Sequence, residues 1–190
     1  MKYPYRPMVL PSLVKGQING RLEAKLLAKV ATGGKMLKPA AAAFNALYAE
    51  AKKNGITLIN IGDYRSFDGQ LAMFKDRYSL KDEGRKPQVT RTYEGKTWYL
   101  KKGKSPSAAP DPTGKRGSNH GWGLAIDLAV EGKKGELVGM GSAKRSFKWL
   151  CENAPNYGFF LQGDNPKSPE FEAWHWQYCM GDDLPPALKA

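Results

Sequence analysis

Apolar positions recur at helical spacing in four stretches of the chain and cluster or alternate in six others. Phe44, Leu47, Tyr48 and Ala51 fall at i, i+3, i+4 and i+7, which predicts a helix from about Pro39 to Lys53. Pro39 suits its first turn and Asn54-Gly55 its stop. Leu22, Leu26, Leu27 and Val30 predict a shorter helix over 21–30, ended by Thr32-Gly33-Gly34. A third helix is capped by Ser66 and turns Phe67, Leu71, Phe74 and Tyr78 inward. A fourth runs from a Ser142 cap through Glu152, with Ala143, Phe147 and Leu150 inside. Strands are expected at 56–61, 124–130, 159–161 and 174–178, and a hairpin at 89–93 and 97–100 around Glu94-Gly95-Lys96. Residues 101–117 then read as a flexible loop. Helices early and strands interleaved predict an α+β fold: a small, mainly antiparallel sheet with helices packed on it. The division is an extended arm over 1–20, one domain over 21–180 with a basic insertion at about 80–117, and a tail over 181–190.

Composition narrows the class. The chain has 190 residues, 30 basic and 18 acidic, for a net charge of +12. The charge is uneven: +8 over 1–80, +6 over 81–117 and −2 over 118–190. A basic front implies a polyanionic partner, either nucleic acid or an anionic cell-wall polymer. No apolar run reaches the ~20 residues of a membrane span. Residues 1–13 hold Lys2, Arg6 and three prolines, and lack the ~7–15 apolar residues of a secretory leader. The expectation is a monomer made in the cytoplasm. Cys151 and Cys179 match no zinc-ribbon spacing; two buried thiols and a disulfide both remain open.

The two histidines, His120 and His175, stand in unusual surroundings, Ser118-Asn119-His120-Gly121-Trp122-Gly123-Leu124-Ala125-Ile126-Asp127 and Glu172-Ala173-Trp174-His175-Trp176. Two imidazoles with a nearby Asp and Glu are a minimal kit for a catalytic zinc site, which needs three protein ligands and an open position. Glu172 and His175 are three apart and would face opposite sides of a flat strand. Glu172 must therefore lie in the turn before the strand, or the strand must bend.

Ser118-x-His120-x-x-Gly123-x-Ala125-x-Asp127 followed by Glu172-x-Trp174-His175 resembles the signature of the zinc D-alanyl-D-alanine carboxypeptidase family. That family includes vancomycin-resistance D,D-carboxypeptidases and the L-alanyl-D-glutamate endopeptidases of phage lysins. Tyr64-Arg65-Ser66-x-x-x-Gln70 is similar to its arginine motif, and Trp149-Leu150-x-x-Asn153-Ala154-x-x-Tyr157-Gly158-Phe159 to its helix-to-strand passage. Thr97-Trp98-Tyr99 and the loop into Ser118 look most like versions from phages of actinobacteria. The resemblance implies one Zn²⁺ on His120, Asp127 and His175, with Glu172 as general base and not a ligand. It implies that Arg65 stabilises an oxyanion or holds a substrate carboxylate, and that Gln70, Ser118 and Trp174 meet substrate. The simpler alternatives are an Arg65 ion pair with Asp63 or Asp68, an exposed Gln70, a Ser118 that only caps its turn, and core roles for Trp122, Trp174 and Trp176. The implied function is hydrolysis of peptidoglycan stem peptides, of D-Ala-D-Ala carboxypeptidase type, in a lysin-like enzyme acting at the cell wall after phage release. An endopeptidase of the same family, a non-catalytic zinc module and a nucleic-acid binder are the alternatives, though no nucleic-acid-binding motif is present.

Overall fold

The computed structural model describes residues 3–115, 117–168 and 171–189. In chain order its regular elements are β1 (Leu27–Lys29), β2 (Lys35–Leu37), α1 (Lys38–Lys53), β3 (Leu58–Gly62), α2 (Phe67–Arg77), β4 (Tyr78–Ser79), β5 (Thr90–Tyr93), β6 (Lys96–Leu100), β7 (Ala125–Glu131), β8 (Leu137–Gly139), α3 (Lys144–Asn153), β9 (Phe159–Leu161) and β10 (His175–Tyr178). Every pairing between these strands is antiparallel. The fold is α+β, as the patterning predicts.

The main sheet runs β3-β7-β10-β9, and β7 also pairs with β8 along residues 129–131. α1 carries Phe44, Leu47 and Ala51 into the core with almost no exposure. Phe44 meets Phe159 of β9 edge to face, with ring centroids 6.1 Å apart. Trp176 of β10 is buried against Phe147 of α3. Removing each of these four aromatic side chains from water contributes about 2–3 kcal/mol. A second, smaller sheet, β4-β6-β5, has its own apolar cluster of Phe74, Tyr78, Tyr93 and Leu100. The 80–117 segment therefore has a core of its own, built against the C-terminal end of α2.

Four expectations need correction. Residues 21–30 form a 3-10 turn at Ala24–Leu26 and then β1, which pairs with β2 through the Gly33-Gly34 turn. Leu22, Leu26 and Val30 are buried as expected, but a ten-residue helix is marginal alone and an available strand partner outcompetes it. The fourth helix is entered at Ala143, with no side-chain cap, and not at Ser142. Residues 105–108 are anchored, not free: their carbonyls accept from Gln70, Arg77, Tyr78 and Arg91. The arm is more than an extension: Tyr5 bridges to Leu161, and Val14, Asn19 and Gly20 are buried. Cys151 and Cys179 are free and buried, and burial pushes their thiols up to about 11 and about 12.

Gly123 ties the turn before β7 to β2. It has φ of +65°, its carbonyl accepts from Leu37 N–H at 2.9 Å, and a Cβ there would lie 2.7 Å from that nitrogen. A side chain meets both a left-handed backbone and an immovable neighbour. Gly123→Ala is expected to lower unfolding free energy by about 2 kcal/mol or more in denaturant titration.

Candidate active site

His120 sits in a 3-10 turn, Asn119–Trp122, entered through Ser118, whose Oγ accepts from His120 N–H at 3.3 Å. Asn119 Nδ2 crosses to Gln177 Oε1 on β10 at 2.9 Å and holds the turn against the sheet. The His120 ring is 3% exposed. Its Nδ1 lies 2.9 Å from the Asp63 carbonyl. A carbonyl can only accept, so Nδ1 carries the proton and Nε2 keeps its lone pair. That Nε2 lies 3.3 Å from Asp127 Oδ2.

Strand register supplies the other two groups. His175 stands opposite Asp127 across the β10–β7 pairing. On the other side of β7 the ladder slips at Ile61, so that Gly62 also faces Asp127. A Cβ at Gly62 would lie 2.7 Å from Asp127 Oδ2, so a side chain there would displace the carboxylate. His175 Nδ1 is 2.9 Å from Asp127 Oδ1.

Burial alone would push the Asp127 carboxyl up, but the neighbouring side chains of His120 and His175 outweigh it and the group is lowered. Burial lowers His120, with only partial compensation by Asp127, so the imidazole stays neutral at pH 7. One donor atom from each of His120, Asp127 and His175 lies within 4.8 Å of the others. Two imidazoles and a carboxylate, with the His120 tautomer already set by Asp63, fit a four-coordinate zinc with ligand bonds of about 2.0–2.2 Å.

Glu172 precedes β10 by one turn, and its carbonyl accepts from His175 N–H at 3.1 Å. The three-residue spacing is thereby resolved: Glu172 and His175 line one cleft of about 450 Å³. Burial raises the Glu172 carboxyl above the ordinary range. Arg65 enters the same cleft. Its backbone N–H donates to the His120 carbonyl, and its Nη1 donates to Gln70 Oε1 at 3.0 Å. Burial disfavours the guanidinium charge, while Asp127, Glu172 and Asp63 favour it. Arg65 forms no ion pair with Asp63 or Asp68 among the described residues; Asp63 accepts from Asn60 instead.

Gln70 is not in the cleft. It is 4% exposed behind Arg65, with Nε2 donating to the Ala108 carbonyl at 2.7 Å, so it positions Arg65. Ser118 both caps its turn and lines the cleft, and Trp174 lines it too. Trp122 and Trp176 belong to the core.

Sequence reasoning misses Asn19. Its buried amide donates to the Ser118 carbonyl at 2.9 Å, and neighbouring Gly20 N–H donates to the Gly121 carbonyl at 2.8 Å. Asn19-Gly20 reads locally as an ordinary turn, so nothing in its own segment reveals this. Arg77 and Arg91, also in the cleft wall, were equally hidden among solvated charges.

Sheet, cleft and side-chain set together define a carboxypeptidase-type α+β domain. Residues 33–182 match the family model VanY, described as D-alanyl-D-alanine carboxypeptidase, and the chain belongs to that family. It is 30% identical over 145 residues to “Putative carboxypeptidase YodJ” of Bacillus subtilis (strain 168), covering 74% of this chain and 45% of that protein. The chain thus spans less than half the length of this curated relative. Among solved structures it is similar to the LdcB LD-carboxypeptidase, whose structure reveals the molecular basis of peptidoglycan recognition (25% identity, 95% of this chain and 71% of that one, TM-score 0.53). It shares its fold with VanYB in complex with D-alanine-D-alanine (19% identity, 90% and 85% covered, TM-score 0.55). It also shares it with the vancomycin-resistance D,D-pentapeptidase VanY bound to Zn(II) (17% identity, 93% and 86% covered, TM-score 0.52).

Dialysis against zinc followed by metal analysis is expected to leave one zinc per chain, and none in the His120→Ala, His175→Ala double variant. For the metal-free protein, His120 and Asp127 are both lowered in the fold, so the unfolded chain binds more protons. Stability should fall as pH drops through about 6.5, and again through about 4. Asp127→Asn should flatten the second decline in thermal melts taken across that range.

Proposed function

We propose that this chain is a zinc-dependent peptidase acting on peptidoglycan stem peptides, with release of the terminal D-alanine from a D-Ala-D-Ala end as its reaction. The observation that carries the reading is the half-buried Glu172 carboxylate lining the same cleft as the His120–Asp127–His175 donor set. A module that only binds zinc needs neither Glu172 nor the Arg65–Gln70–Ala108 chain behind it.

Zinc on His120, Asp127 and His175 would supply Lewis acidity toward the attacking water and the scissile carbonyl. Glu172 takes the proton of that water as oxygen attacks the carbonyl carbon. Its raised pKa makes it a stronger base than an ordinary carboxylate and a ready donor afterwards. The same proton passes to the leaving amine as the C–N bond breaks, so Glu172 ends ionised. Arg65 presents a permanent charge to the carbonyl oxygen as negative charge develops, or to the peptide's terminal carboxylate. Gln70 holds one guanidinium nitrogen and thereby sets the plane of the fork. The exposed basic residues over 81–117 support retention on anionic wall polymers by screened attraction, reaching about 8–10 Å at moderate salt. Lysis of the wall by a phage-encoded enzyme is the setting that the resemblance of the 97–123 region supports.

Mass spectrometry of a digested pentapeptide muropeptide tests the reading. Free D-alanine is the expected product. A new amino terminus at D-glutamate or within a cross-link would assign an endopeptidase instead, and no cleavage by the zinc-loaded protein would defeat the proposal. Glu172→Gln should retain zinc while kcat falls by about 10²–10⁴. Loss of metal along with activity would make Glu172 a ligand. Arg65→Lys keeps charge but not the fork, and kcat/KM should drop by about 10² with zinc content and melting temperature unchanged. A near-normal Arg65→Lys enzyme would remove Arg65 from the mechanism.

A further inference from the structure

The cleft contains charge that the reaction above does not use. Arg77, the last residue of α2, lines it together with Arg65 and Met73. Side chains on a helix lean toward its N-terminus, so the Arg77 head lies over the turn that carries Met73. Its charge acts on both Glu172 and Arg65. Nη1 donates to the carbonyls of Pro106 at 3.1 Å and Ser105 at 3.4 Å, which fixes the guanidinium plane. Among the described residues Arg77 makes no ion pair and no other side-chain hydrogen bond, which leaves most of its five N–H groups for a ligand. A basic residue in a helix's last turn is favoured by the helix dipole alone. Lys75 satisfies that role in solvent, whereas Arg77 is half-buried and turned into the cleft wall.

Arg91 reinforces the same wall, its Nε donating to the Ser107 carbonyl at 3.2 Å. Among the described residues the acids that line the cleft, Asp127 and Glu172, both belong to the reacting centre, and Arg65 faces that centre too. Arg77 is then the charge in the cleft suited to an anionic group of the ligand away from that centre. Arg65 stands just before α2, and from Phe67 at its start to Met73 the helix rises about 9 Å. An extended peptide covers that distance in about three residues.

We propose that Arg77 anchors a carboxylate carried by the substrate peptide about three residues from the scissile bond, so that the enzyme prefers acidic stem peptides to their amidated forms. This rests on the peptidase reading. In a γ-linked glutamate the α-carboxylate is free, and amidation removes its charge while leaving its shape almost unchanged.

The test compares two synthetic pentapeptides, L-Ala-γ-D-Glu-L-Lys-D-Ala-D-Ala and the same peptide with the glutamate α-carboxylate as its amide. Zinc-loaded wild type should favour the acid by about tenfold in kcat/KM, mainly through KM. In Arg77→Gln the ratio should fall to within about twofold of one. A structural role for Arg77 would slow both peptides alike and leave the ratio intact. Equal handling by wild type, or an unchanged ratio in Arg77→Gln, overturns the proposal. Should the variant fail to fold, the wild-type preference itself must shrink as sodium chloride is raised from about 0.05 to about 0.5 M. A salt-independent preference would refute the charge contact. If wild type cleaves neither peptide, the peptidase reading fails separately. Calorimetric Kd values for the two peptides then decide the anchor: about tenfold supports it and a ratio of one overturns it.

Discussion

A carboxylate ionised inside a sheet is the constraint around which this protein is arranged. Asp127 lies on β7, the strand that joins β3, β8 and β10, and burial there opposes its charge. His175 Nδ1 meets it at 2.9 Å, and His120 Nε2 faces it from another direction at 3.3 Å with its lone pair turned in. Each approach has its own structural cost. The slip at Ile61 and the missing side chain at Gly62 leave space for the carboxylate on the β3 side. The left-handed Gly123 lets the His120 turn pass close over β2. Breaking either would leave a buried charge without compensation, which is among the more destabilising changes a core can suffer.

The reacting groups are set from behind by backbone carbonyls and amides, not by other charges. Asp63 orients His120 through its carbonyl, and the His120 carbonyl in turn receives the Arg65 N–H. Asn19 and Gly20 hold the carbonyls of Ser118 and Gly121. Gly20 also accepts from Phe67 N–H at the start of α2. The arm, the metal-motif turn and α2 are thereby linked within a few residues of one another. Neutral partners leave the net charge of the site to Asp127, Glu172 and Arg65. That suits a centre in which one carboxylate binds metal and the other moves a proton.

The smaller sheet completes the cleft instead of merely decorating it. Its aromatic cluster, with Phe74 and Tyr78 stacked at 4.7 Å, fastens the 80–117 segment to the end of α2. From that base residues 105–108 run along the cleft with their carbonyls tied down by Gln70, Arg77 and Arg91. Gln70 thus joins Arg65 to the cleft wall through one side-chain amide.

Much of the site was legible in the sequence because its residues are chemically rare here. Only two histidines exist, each beside an acid, and the three-residue gap from Glu172 to His175 already required a turn before the last strand. The helix from about Pro39 to Lys53, the strand that carries Asp127 and the Ser66 cap were equally plain, since each rests on local spacing or local hydrogen bonding; the strand at 56–61 read as apolar on both faces, yet it lies at the sheet edge. Where local signals were ambiguous, partners decided. Residues 27–29 became a strand because 35–37 lay within reach of a glycine turn. Gln70 moved behind Arg65 because the Ala108 carbonyl, 38 residues away, offered it a buried bond. Asn19 acquired its place only when the arm met the turn at Ser118, 99 residues on. Residue type and short-range spacing determined which chemistry this chain can perform. Which side chains meet substrate and which hold others in place was decided by contacts between distant segments, because a polar group's role depends on the partner that satisfies it after burial, and that partner is chosen only when the chain folds.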